Sequence, residues 1–183
     1  MKENFFFDNY FLAFRNILLF SKNTIKNLTL AKKKLEYLKK NNRKVIIFGN
    51  GGSASIASHF STDLTKISNI RCMNFNEANL ITCFANDYGY ENWISKAIEF
   101  YGDRNDILIL ISSSGMSKNI LNACHSARKK NFSCIITFSG FKNTNKLKKK
   151  GDINFWIDSS KYNYVENAHQ VLLLSLVDSL QTK

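Results

Sequence analysis

Two apolar runs in this chain pass without a break into a turn of small residues and then into a helical stretch. Val45-Ile46-Ile47-Phe48 leads into Gly49-Asn50-Gly51-Gly52-Ser53, and Ile107-Leu108-Ile109-Leu110-Ile111 leads into Ser112-Ser113-Ser114-Gly115-Met116-Ser117. A strand with no polar face must be covered on both sides, which points to the parallel sheet of an α/β domain. The rest of the chain from Arg43 keeps that rhythm. Residues 71–75, 134–138 and 153–157 read as further strands, and 53–66, 76–84, 91–101, 118–130 and 165–181 as helices. The expectation is an α/β three-layer sandwich, a five-stranded, mostly parallel sheet flanked by helices. It forms one domain over 1–183, with a helical hairpin at 1–41 and the α/β core at 42–183.

Residues 4–41 contain no glycine, and Phe7, Phe11, Phe14 and Leu18, then Ile25, Leu28, Leu35 and Leu38, recur at helical spacing with a break near 21–23. The first of these two helices carries more large aromatics than one side of a small domain needs. That surplus fits a face packed against another subunit, the plain alternative being an ordinary core.

Composition narrows the function. At 44% hydrophobic and 22% charged residues the chain can bury a core, and its 183 residues suffice to cover roughly 70% of the unfolded surface. No apolar run approaches the roughly 20 residues that cross a bilayer. Asp8, Asn9 and Arg15 interrupt the aromatic N-terminal stretch, so an export signal is not expected. Cys72, Cys83, Cys124 and Cys134 lie far apart with no CxxC pair, which suits reduced thiols and a cytoplasmic protein. The net charge of +12 comes largely from lysine runs at 32–34, 39–40 and 146–150 that lack interleaved aromatics, so solvated faces are expected rather than a nucleic-acid site. The positive field still favours small anions. The 142–150 tract reads as a mobile surface loop.

The two turns carry the chemistry. Glycines let the backbone approach a ligand closely, and a helix start with its N–H groups and dipole attracts an oxyanion. The serines of the second turn add hydroxyl donors, with Ser117 as the expected N-cap. Either turn alone is compatible with a tight strand-to-helix connection. Two at one edge of a parallel sheet make a crevice for a phosphorylated ligand. The glycine pattern is not GxGxxG and no Walker lysine is present, so no nucleotide cofactor is expected. His59 and Asp63, four residues apart, share a helix face and can hold a proton or a metal between them, or simply form a helix pair.

Gly49–Ser53, the Asn86-Asp87-Tyr88-Gly89-Tyr90 segment and Ser112–Ser117, in this order and spacing, resemble the sugar isomerase (SIS) family, and within it the phosphoheptose isomerases. The resemblance covers nearly the whole chain. It implies a ketose-to-aldose isomerase acting on a heptose phosphate for surface-polysaccharide synthesis, active as a homotetramer with sites between subunits. Substrate contacts are implied at Asn50, Gly51, Gly52, Ser53, Asn86, Asp87, Ser112, Ser113, Ser114, Ser117 and Glu166. Catalytic groups are implied among His59, Asp63, Glu166 and His169, with Zn2+ as a possible ion on His59, Asp63 and Glu166. The family has glutamate, glutamine and histidine where this chain has Asp63, Glu166 and Leu174. Two other readings stand beside it: a non-catalytic SIS module that binds a sugar phosphate or a protein partner, and an isomerase for a different sugar phosphate.

Overall fold

The computed structural model describes residues 2–181, with side chains from Phe5 onward; Met1, Thr182 and Lys183, the ends of the expected 1–183 span, lie outside the described residues. Five strands, β1 (Val45–Phe48), β2 (Cys72–Met73), β3 (Ile107–Ser112), β4 (Cys134–Ser139) and β5 (Ile153–Trp156), form one sheet in the order β2-β1-β3-β4-β5. Every neighbouring pair is parallel, with Phe48 opposite Leu110 and Leu110 opposite Thr137. In this order the chain reverses direction across the sheet between β1 and β3, the crevice position for ligands in doubly wound folds.

Alternation along the strands divides the core in two. Val45, Ile47, Ile109, Ile136 and Phe138 face α2 (Lys22–Lys40), α3 (Gly52–Lys66) and α7 (Tyr162–Ser179). Ile46, Phe48, Leu108, Leu110 and Ile135 face α5 (Trp93–Tyr101) and α6 (Lys118–Lys129), with α4 (Ala78–Tyr88) alongside through Leu80, Ile81 and Phe84. Because both faces are covered, β1, β3 and β4 are buried along their whole length. The expected three layers are present.

The N-terminal helices differ from a self-contained hairpin. α1 (Lys2–Ile17) leans on α7, where Tyr10 and Phe14 meet Tyr164, while α2 lies against β5 and α7. Phe5, Phe6, Phe7 and Phe11 remain 57–70% exposed.

Four expectations change. The edge strand is two residues long rather than 71–75, because Asn74 Oδ1 accepts the Asn76 amide and Phe75 takes φ 54°, turning the chain out of the sheet. The last helix begins at Tyr162, three residues early, and α4 runs on to Tyr88 before Gly89 ends it at φ 84°. The lysine-rich tract is not a free loop. Buried Asn145 donates to the Ser139 hydroxyl and to the Gly140 and Lys142 carbonyls and accepts from the Lys148 amide, and Leu147 is fully buried. A β-carbon on Gly115, which stands at φ 65°, would collide with the Asn145 amide, so this tract braces the serine turn.

Candidate functional site

Adjacent parallel strands put their following turns side by side. The turns after β1 and β3 enclose a hollow of about 330 Å³, to which Tyr162 and Glu166 of α7 add a wall. Asn50, Gly51, Gly52, Ser53, Ser112, Ser113, Ser114 and Ser117 all line it, so eight expected ligand contacts converge. Ser117 holds the N-cap position of α6 but makes no capping bond; its hydroxyl lies 3.2 Å from that of Ser112, turned toward the hollow. Ser113 Oγ is buried with no hydrogen-bond partner, and Ser114 Oγ accepts the Met116 amide at 3.3 Å. Hydroxyls, a glycine backbone and two helix starts (α3 and α6) around one small space suit a phosphate.

Glu166 joins this hollow to a second of about 280 Å³, lined also by Gly52, Ser55, Ile56, His59, Asn163, Asn167 and Gln170. Burial pushes the Glu166 carboxyl above the ordinary carboxylate range. The nearby Ser113 hydroxyl offsets part of that shift without reaching hydrogen-bond geometry. The carboxyl therefore sits half-buried between the phosphate-sized space and the imidazole.

On α3, His59 Nε2 lies 3.1 Å from Asp63 Oδ2 and Nδ1 lies 3.3 Å from Gln170 Nε2. Asp63 lines neither hollow. It stands one helical turn behind His59, with its carboxylate against the ring Nε2. Among the described residues no three His, Cys, Asp or Glu side chains converge. His59, Asp63 and Glu166 of one chain therefore do not by themselves come together as a Zn2+ site.

His169 departs from its expected catalytic part. It is fully buried, its Nε2–H donates to the Ser139 carbonyl at 3.1 Å, and its ring meets Phe138 edge-on. It lines neither hollow, and burial pushes its pKa down to about 4, so it is a neutral core residue. Three residues after Glu166, it lies on a neighbouring strip of α7 that turns into the core. Leu174 is half-buried two turns beyond Glu166. Asn86 and Asp87 bond to each other at the exposed end of α4, outside both hollows.

Three contributors were absent from the sequence reading, and a fourth, Tyr90, stood there only as part of the 86–90 segment. Gln170 is four residues from Glu166, a spacing that itself puts both on one face. Tyr162 lay in a stretch read as loop. Asn119 and Tyr90 reach the glycine turn through hydrogen bonds to Asn50 at 2.9 and 3.2 Å, links between distant segments that carry no local signal.

Comparison with known proteins agrees with this geometry. The family model described as SIS domain matches residues 9–139. A phosphoheptose isomerase of Helicobacter pylori (strain HPAG1) is 33% identical over 147 residues, covering 77% of this chain and 76% of the relative. One from Buchnera aphidicola subsp. Acyrthosiphon pisum (strain Tuc7) is 35% identical over 153 residues, covering 75% and 78%. The solved structure of a phosphoheptose isomerase from Francisella tularensis superposes with a TM-score of 0.85 at 25% identity, covering 100% of this chain and 97% of that one.

Proposed function

This chain belongs to the SIS domain family, and from that premise we propose that it is a phosphosugar isomerase converting ketose sedoheptulose 7-phosphate to the aldose heptose phosphate used for surface polysaccharide. The observation that carries this reading is the continuity of the two hollows through Glu166. A phosphate held by the glycine and serine turns leaves the other end of an extended sugar beside Glu166 and His59. Remote binding energy at the phosphate then positions the C1–C2 region.

In this mechanism Glu166, as carboxylate, removes a proton from C1 of the ketose. The electron pair forms the C1–C2 double bond, and the carbonyl oxygen at C2 takes a proton from His59, giving the enediol. Loss of the O1 proton to His59 re-forms a carbonyl at C1, and Glu166 returns its proton to C2. A carboxyl whose pKa lies above the usual range accepts and releases a proton more evenly near neutral pH than an ordinary one. Asp63 holds Nε2 of the imidazole throughout, while Gln170 gives way at Nδ1 to the substrate oxygens, so that Nδ1 is the nitrogen that exchanges the proton.

The active form in this reading is a homotetramer with sites between subunits. Two separate apolar faces support it: the Phe5, Phe6 and Phe11 side of α1, and a patch of Phe84, Phe100 and Tyr101 on α4 and α5. A closed tetramer with two kinds of two-fold contact buries two such faces. Packing of this kind would also bring the exposed Asn86–Asp87 end of α4 to a neighbour's sugar. Four free cysteines, two of them buried, fit a reducing cytoplasm, and no helix among the described residues is long and apolar enough to cross a membrane.

The test is to incubate the purified protein with sedoheptulose 7-phosphate, other ketose phosphates and unphosphorylated sedoheptulose, with metal analysis of the same sample. Conversion confined to the phosphorylated heptulose supports the reading, and preference for another ketose phosphate reassigns the substrate. Binding without conversion of any sugar leaves a sugar-phosphate sensor.

A further inference from the structure

The two phosphate turns are joined by a reciprocal amide pair. Asn50 Nδ2 donates to Asn119 Oδ1 at 3.0 Å, and Asn119 Nδ2 donates to Asn50 Oδ1 at 2.9 Å. Asn119 stands in the first turn of α6 and is 2% exposed, and its Oδ1 also accepts the Ile120 backbone N–H at 3.0 Å. That backbone donor settles which side-chain atom is oxygen. On the far side of Asn50, the Tyr90 hydroxyl donates to Asn50 Oδ1 at 3.2 Å. The Asn50 side chain is thus held by the helix start behind the serine turn and by the loop after α4, leaving at most one amide hydrogen to offer a ligand.

We propose that Asn119 is a positioning residue for the isomerase, acting through Asn50 to fix the distance between the glycine turn and the serine turn. This rests on the phosphosugar reading above only for its kinetic consequence; the clamp itself is a property of the fold. A phosphate bridging both turns is held well only if the turns keep their separation to within about 0.5 Å. Gly51, exposed and at φ 54°, and Gly52 after it give the first turn little side-chain packing of its own, so a cross-link from a buried residue supplies the constraint. Asn50 is correspondingly a part of the clamp more than a direct ligand through its side chain.

The test is a double-mutant cycle with Asn50→Ala, Asn119→Ala and the pair, read in kcat/KM for sedoheptulose 7-phosphate and in amide hydrogen exchange at residues 49–53. Each single variant is expected to lose at least 10-fold in kcat/KM, mainly through a higher KM, and the double variant to lose no more than about 2-fold further. Exchange at 49–53 is expected to quicken at least 10-fold while β3 amides stay unchanged. Asn119→Asp keeps the volume and accepts from Asn50 without donating, so it should fall between wild type and alanine. Additive losses, or exchange at 49–53 unaltered in Asn119→Ala, overturn the clamp. If the wild type turns over no sedoheptulose 7-phosphate, the isomerase reading fails alone and the exchange result still decides the clamp.

Discussion

The carboxyl of Glu166 packs directly on the α-carbon of Gly52, close enough that a β-carbon at residue 52 would collide with it. Gly52 opens α3 without a left-handed backbone, so alanine there suits the local conformation and would ordinarily add about 0.4–1 kcal/mol of stability. Here the colliding atoms are the tip of a flexible, half-buried side chain that can swing aside. Gly52→Ala is therefore expected to keep its stability in denaturant unfolding within about 1 kcal/mol of wild type and to cut turnover by moving the Glu166 carboxyl out of place. Wild-type turnover in Gly52→Ala would show that the position of this carboxyl does not matter to the reaction.

Replacing Glu166 by glutamine separates its charge from its shape. Burial raises this carboxyl in the folded protein, so the wild type is favoured in acid and loses that advantage as pH rises through the raised value, where a charge must be buried. Glu166→Gln should therefore be more stable than wild type at pH 8 and similar at pH 4, while losing catalysis at both. Thermal melts at the two pH values check this, at about 2–4 °C per kcal/mol for a chain of this size.

His169 titrates in the opposite sense. Its pKa falls from 6.5 to about 4 on folding, so the stability it contributes is complete above pH 6.5 and is lost as pH drops toward 4, by on the order of 3 kcal/mol. The variant His169→Leu removes this titration. Its unfolding free energy relative to wild type should rise by about that amount between pH 7 and pH 4, and an unchanged difference would remove His169 from the acid response.

For Asp63→Asn the expectation is a split between chemistry and binding. The carboxylate touches His59 and lines neither hollow, so kcat should fall roughly 10- to 100-fold, as for other groups that orient a catalytic residue, while affinity for the sugar phosphate stays within a few fold. Unchanged turnover takes Asp63 out of the mechanism.

How much of this was readable before any coordinates depends on how local each signal is. The apolar runs at 45–48 and 107–111 and the turns behind them specify strands, connections and sheet edge through short-range chemistry, and the hollow they form contains the residues the sequence suggested. The resemblance placed Glu166 on the last helix, and the fold brings it to Gly52, 114 positions earlier in the chain. What failed was less local. His169 has the residue type of an acid–base group, and only the packing of α7 on β4 shows that its ring points into the core. The lysine-rich tract has the composition of a free loop, yet one buried asparagine and one leucine fix it against the serine turn. Asn119 bonds to a residue 69 positions away, a pairing that no local pattern encodes.

The central claim is that one cleft grips the phosphate and passes a proton between the first two carbons of the sugar. Its most direct test is NMR of sedoheptulose 7-phosphate with the purified protein in D2O. The account predicts an aldose heptose phosphate, with deuterium at C2 in the share of turnovers in which the Glu166 proton exchanges with solvent before it returns, and both product and label abolished in Glu166→Gln. Sedoheptulose 7-phosphate that binds the wild type but stays chemically and isotopically unchanged would contradict it.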